Sequence, residues 1–190
     1  MFGGISSETP PYDVIDKKND YEIRRYKKYV LAKINYEVPK GTDFGAKTGT
    51  GFYPLFKYIT GKNETQTKIS MTAPVIMQES EDDSSVKRTM SFIMSPSTFS
   101  SSDQLPAAND QSVEIVEQSN SRDMACITFN MSMSSERFTA KERELREAAQ
   151  RDGIQLSSDP KDVFRVGYNP PYTIPYFRRN EIWIPIIRQQ

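Results

Sequence analysis

The chain has 190 residues, with 25 basic and 25 acidic side chains and a formal net charge of zero at pH 7. That length suits one domain or two small fused halves around a real core, and the scattered charge offers no electrostatic footprint for nucleic acid or an anionic membrane. There is no histidine and one cysteine, Cys126. Ser-His-Asp and Cys-His nucleophile systems, imidazole metal sites, cysteine zinc sites and an internal disulfide are therefore excluded.

Residues 1–11 are rich in Gly, Ser and Pro and are expected to form a loose arm ahead of a single domain over 12–190. The first residues carry neither a basic region nor an unbroken apolar run, and no later segment approaches bilayer-spanning length. A cytoplasmic protein without a membrane span is the expectation. From Tyr21 the chain reads as strand. Ala32, Ile34, Tyr36 and Val38 alternate with Lys33, Asn35 and Glu37, the period of a half-buried strand ending at Pro39.

Phe52, Leu55, Phe56 and Ile59 fall at i, i+3, i+4 and i+7, one face of an amphipathic helix that Gly61 stops. Pro54 lacks the N–H a helix interior needs, so the regular helix is expected to begin or kink there, with any turn over 44–51 a separate piece. Gly41, Gly45, Gly49 and Gly51 lack both phosphate-loop and dinucleotide spacing and read as a flexible connector. Ile69, Met71, Ala73, Val75 and Met77 alternate, as do Met90, Phe92 and Met94; these predict two strands joined by an acidic, serine-rich loop over 79–85.

Beyond a low-complexity stretch at 95–112 the same grammar returns. Val113-Glu114-Ile115 echoes Tyr21-Glu22-Ile23, and Ala125 to Phe129 echoes Ala32 to Tyr36. A helix follows, with Thr139 and Glu142 as a capping box, a stripe of Leu145, Ala148 and Ala149, and Gly153 at its end. Residues 164–172 stand where 69–75 stood, and 181–186 close the chain as 90–94 closed the first half. Two repeats, about 12–97 and 111–190, predict a pseudo-twofold α+β domain of curved sheets flanked by two helices, with a concave surface where the halves meet.

Met71, Met77, Met90, Met94, Met131 and Met133 fall on alternate positions of the predicted strands, so most should face one interior side. They suit either an irregular core or an adaptable apolar cleft, and the Phe52 stripe, flanked by Tyr53, Lys57 and Tyr58, allows the same two readings. Carboxylate pairs such as Glu142 with Glu144 sit among Lys and Arg and read as solvated charge. No catalytic residue is assigned.

Four signatures go further: Gly51-Phe52-x-x-Leu55-Phe56-x-Tyr58-Ile59-x-Gly61-x-Asn63, Lys68-Ile69-x-Met71-Thr72-Ala73-Pro74-Val75, Tyr168-Asn169-Pro170-Pro171-Tyr172-x-x-Pro175, and Arg178-Arg179-Asn180-Glu181-Ile182-Trp183-Ile184-Pro185. In that order, from about Tyr12 to Ile187, the chain resembles the SOUL heme-binding protein family. The resemblance implies two βαββ-type repeats forming a distorted antiparallel β-barrel flanked by two α-helices. It implies binding of heme or another tetrapyrrole in a shallow apolar cleft, for heme buffering, transport or signalling; with no strong iron ligand a non-enzymatic protein is the expectation, as a monomer and, from the scattered charge, without a nucleic-acid partner. The cofactor-contacting residues it implies are Phe52, Leu55, Lys57, Tyr58, Ile59, Met71, Tyr172 and Arg178. Lys57 matches a basic position of the family's helix, Tyr172 stands over the cleft mouth, and Arg178 is either at the rim or a structural clamp. Heme held by this chain would be non-covalent and without axial histidine, leaving Tyr, Met or Cys126 as poor substitutes. The alternative is a different small apolar ligand or an enzymatic conversion on the same barrel; a buried carboxylate such as Glu22 or Glu114 beside a cleft tyrosine would be its sign.

Overall fold

The computed structural model describes residues 7–118 and 121–187. The strands are β1 (Tyr12–Lys17), β2 (Glu22–Tyr26), β3 (Tyr29–Pro39), β4 (Val75–Glu81), β5 (Ser85–Ile93), β6 (Val113–Gln118), β7 (Arg122–Phe129), β8 (Phe164–Gly167) and β9 (Asn180–Pro185). Two helices, α1 (Thr48–Ile59) and α2 (Ser135–Arg151), interrupt them. All nine strands join one curled antiparallel sheet in the order β1-β2-β7-β9-β8-β4-β5-β3-β6. The fold is thus an α+β distorted half-barrel.

That order is symmetric about the β8–β4 seam once β1 is set aside. Exchanging β4 with β8, β5 with β9, β3 with β7 and β6 with β2 maps one repeat onto the other. The first strand of each repeat is swapped: β2 pairs with β7 of the second repeat, and β6 pairs with β3 of the first. Neither half can complete its sheet alone, which ties the repeats into one unit.

Alternation gives the sheet two buried faces. One carries Ala32, Ile34, Met90, Phe92, Ile127 and Ile182 beneath the helices; the other carries Tyr26, Ile76, Cys126, Val166, Tyr168 and Trp183 on the concave side. Helix α1 lies on β3, β5 and β6, and α2 lies on β7 and β9.

The start of α1 corrects the expectation set by Pro54. The helix runs six residues further back, and Pro54 is accommodated inside it. The cost is one backbone bond that Pro54 cannot donate. Gly49 and Gly51 therefore belong to the helix and not to a connector. Gly51 is buried, and a Cβ there would stand 2.6 Å from the Tyr36 ring and 3.1 Å from Met90 Cβ. Gly51→Ala should force the helix off the sheet and destabilise the fold by about 1–3 kcal/mol, measured by urea denaturation, despite the better helix propensity of alanine. A stabilised variant would show that the contact is looser than the geometry indicates.

Three other expectations change. Helix α2 is capped by Ser134, whose Oγ accepts from the Arg137 N–H at 3.4 Å; Thr139 lies inside the helix, and Glu142 pairs with Arg146 at 2.9 Å. Strand β4 begins only at Val75, after a cis Ala73–Pro74 bond. Upstream, Ile69 donates to the Ile59 carbonyl at 2.8 Å and Ala73 to the Glu8 carbonyl at 2.9 Å, so these residues are satisfied outside any ladder. Accordingly Met77, Met90 and Met94 are buried, Met133 is half-buried, and Met71 and Met131 are exposed. In the expected N-terminal arm, the Glu8 carboxylate also accepts from the Ser97 N–H at 2.7 Å, while residues 1–6 lie outside the described residues.

Candidate functional site

The two helices leave β4 and β8, the strands of the seam, between them. The helix-facing residues there are Val75 and Met77 on β4 and Arg165 and Gly167 on β8, paired as Val75 with Gly167 and Met77 with Arg165. Loops cover part of this strip. Phe44 plugs one end, fully buried, with the Arg88 and Arg165 guanidinium carbons 5.5 and 5.4 Å from its ring centroid. At the other end Met133 closes over Gly167, where a Cβ would lie 3.1 Å from its sulfur. That end is the more open one, since Val75, Met133 and Gly167 are all half-exposed.

One row crosses the sheet at this end: Ala32, Phe92, Val75, Gly167, Asn180 and Phe129 are successive partners from β3 to β7. Phe52 of α1 rests on Phe92 at a ring distance of 5.2 Å. The β8–β9 loop, residues 168–179, leaves from Gly167. Two strand spacings, about 10 Å, thus separate the aromatic flank of α1 from the root of this loop. The loop is anchored to the turn at 131, where the Met131 N–H donates to the Pro175 carbonyl at 2.8 Å and Asn180 Nδ2 to the Met131 carbonyl at 2.9 Å. It exposes Tyr172, Ile174, Tyr176 and Phe177.

Helix geometry sorts the predicted residues. At about 100° per residue, Leu55, Tyr58 and Ile59 share the face turned to the sheet, and all three are buried. The Tyr58 hydroxyl donates to the Pro106 carbonyl at 2.9 Å, and burial pushes its pKa up to about 12. These three hold the helix down and have no surface to offer a ligand. Phe52 is half-buried on the flank toward β4, where its ring stacks on that of Phe56 at 5.7 Å and 17°. Lys57 points away from that flank toward solvent, on the β6 side. Its charge there adds to the hydrogen bonds from Ser112 that lower the Asp110 pKa.

Among the others, Met71 is exposed four residues before Val75, and Tyr172 is 87% exposed at the loop tip. Arg178 donates through Nε to the Thr173 carbonyl at 2.8 Å and through Nη2 to the Pro171 carbonyl. It is a clamp that shapes the loop. Phe56, Val75 and Met133 complete the open end; the flank position of Phe56 beside Phe52 was the signal for it, and the apolar run Ile174-Pro175-Tyr176-Phe177 was the signal for the loop. Elsewhere, concavities of about 680 Å³ beside Arg25, Arg122 and Asp162 and about 440 Å³ beside Lys33, Lys87 and Lys161 are formed mainly by polar and charged residues. Neither offers the flat apolar wall of the seam.

The buried carboxylate beside a tyrosine is Glu181, on the opposite, concave face. Its Oε2 accepts from Arg24 Nη1 at 2.9 Å, Tyr168 OH at 3.0 Å and Trp183 Nε1 at 2.6 Å; its Oε1 accepts from Thr128 at 3.1 Å and from Arg179 Nε and Nη2 at 2.9 and 2.6 Å. Every acceptor direction is taken. Burial pushes the pKa of this carboxyl up, but Arg24 and Arg179 outweigh that and hold it below the ordinary value. Such a group is a fixed anion, with no lone pair left to receive a substrate proton. Glu22 is bonded to Arg24 at 2.9 Å, and Glu114, exposed on the helix-free side of the edge strand β6, pairs with Lys33 at 3.1 Å, so neither enters the seam.

Among the described residues, no helix is long and apolar enough to cross a membrane. The chain is 28% identical to heme-binding protein 2 of Homo sapiens over 93% of its own length and 85% of that protein. It is 27% identical to heme-binding protein 1 of Sus scrofa, covering 97% and 94%. In fold it is similar to a conserved protein of uncharacterised function from Listeria innocua, with a TM-score of 0.63 at 10% identity over 90% of this chain and 93% of that one. The family model for SOUL heme-binding protein matches residues 7–185, nearly the whole of the domain just described, and the chain belongs to that family.

Proposed function

We propose that this chain binds heme or a related tetrapyrrole at the open end of the seam, as a reversible carrier or buffer and not as a catalyst. The observation that carries the reading is the stacked Phe52–Phe56 pair facing, across about 10 Å of apolar floor, a loop that exposes four large apolar side chains. A flat macrocycle fits such a slot edge-on, with Phe52, Phe56, Val75 and Met71 against its faces and Tyr172 at the mouth. When bound, the group would supply redox-active iron; the chain supplies apolar contact and no imidazole. The slot is built within one chain and needs no second copy.

The energetics support binding without an iron ligand. Micromolar affinity is about 8 kcal/mol; adding about 5 for association, an apolar burial of about 500 Å², counted over both partners, is enough at about 25 cal/mol per Å². The family and the names of the relatives support the ligand class, and the saturated Glu181 supports a binding role over a catalytic one.

Hemin titration followed at the Soret band is the test. A saturable shift is expected for the native chain, with Phe56→Ala weakening it about 5- to 30-fold, the equivalent of about 1–2 kcal/mol, through lost stacking and burial. Lys57→Ala should leave the curve unchanged, because its side chain points away from the seam. No saturable shift, or a Lys57 variant as impaired as the Phe56 variant, would overturn this placement.

A further inference from the structure

The concave face holds a second constellation that the tetrapyrrole reading does not use. Arg24, 3% exposed, comes up from β2 with its guanidinium carbon 4.7 Å from the Tyr12 ring centroid. Tyr12 packs on Tyr26 at 5.1 Å, and Tyr26 on Trp183 at 4.5 Å. The head group is bonded to Glu22 through Nε, and to Tyr26 OH at 3.3 Å and Glu181 at 2.9 Å through Nη1. An aromatic face, a phenol hydroxyl and a buried carboxylate around one monocation are the components of a cation receptor. Here the cation is part of the chain.

We propose that this box is a binding site for lipophilic monocations of the alkylguanidinium type, that Arg24 occupies it as a built-in ligand, and that Arg24 is the residue closing the concave face to such cations from solution. Charge balance sets the ligand class. Arg24 and Arg179 offset Glu22 and Glu181, with the exposed Lys17 3.9 Å from Glu22 at the rim; without Arg24 the box keeps two carboxylates against one buried guanidinium, Arg179 remaining committed to Glu181 at 2.6 Å and to the Tyr168 ring at 4.1 Å. A carboxylate excess in a partly closed box selects a cation of matching size over a neutral or anionic guest. Entry is from the edge: β1 pairs with β2 alone, its residues other than Tyr12 are exposed, and Tyr12 is the half-buried side chain over the box.

The chain's single tryptophan, Trp183, donates to Glu181 and reports on the site directly. Arg24→Ala titrated with ethylguanidinium should show a saturable change in Trp183 emission, at least about tenfold tighter than any response of the native chain. Arg24→Ala combined with Glu181→Gln should lose the response, because the charge that selects the cation is gone. If Arg24→Ala is unfolded in buffer, the same cation at millimolar concentration must restore its far-UV circular dichroism. A native chain that responds as strongly as Arg24→Ala overturns the proposal, as does a folded variant that ignores the cation or an unfolded one that is not rescued.

Discussion

Glu181→Ala should lose about 3–5 kcal/mol of folding stability in urea denaturation at neutral pH, the usual penalty for removing one partner of a buried ion pair. Glu181 is 0% exposed, and its loss takes the buried counter-ion from Arg24, 3% exposed, leaving it Glu22 at the rim at 2.9 Å and the Tyr26 hydroxyl at 3.3 Å. The Tyr168 hydroxyl and the Trp183 indole N–H lose their acceptor at the same time. Unsatisfied buried donors carry the full desolvation cost, so the effect exceeds that of an ordinary hydrogen bond, about 1 kcal/mol. A loss under about 1 kcal/mol would mean that water enters the cluster and that the concave face is not a closed core.

The same residue sets a pH dependence. Because the folded chain holds the Glu181 carboxyl below its ordinary value of 4.5, folding favours the ionised form. This contribution is complete above the unfolded-state value and is lost as pH falls through the folded-state value beneath it. Stability measured from pH 7 downward should therefore fall below about pH 4.5 more steeply for the native chain than for Glu181→Gln, which has no proton to take up there. Parallel curves for the two proteins would refute the linkage.

What the sequence made legible follows from local period. The alternation in Ala32 to Val38 and Ala125 to Phe129 and the apolar spacing of Phe52 to Ile59 are signals that neighbouring residues carry by themselves, and they brought out the doubled architecture. The exchange of β2 and β6 between repeats is not of this kind, because nothing in Glu22 to Tyr26 specifies Arg122 to Cys126 as its partner. Arg24 and Glu181 lie 157 positions apart, and no spacing rule joins them. Strand β1 was missed for a different reason. As a solvated edge with Val14 and Ile15 both exposed, it has no buried face to impose a period. Pro54 misled because the helix start was read from the proline, whereas packing of Gly51 on Tyr36 decides it.

The candidate site shows the same limit within a single helix. An i, i+3, i+4, i+7 stripe marks the residues that a helix buries, so Leu55 and Ile59 stood out for the reason that removes them from the surface. Leu55→Ala is accordingly expected to cost about 2–5 kcal/mol of stability, the range for an aliphatic side chain deleted from a closed core. Hemin affinity of the fraction that remains folded, measured at low temperature, should be unchanged. Phe56, 40% exposed on the flank, should behave in the opposite way, with stability within about 0.5 kcal/mol of native and weakened ligand binding. The pair separates two roles that one apolar stripe confounds. If Leu55→Ala lowers affinity in a sample shown to be folded, the ligand reaches beneath α1, and the slot must open by lifting that helix from β5; if it does not, the flank of α1 is the wall and its stripe is the foundation.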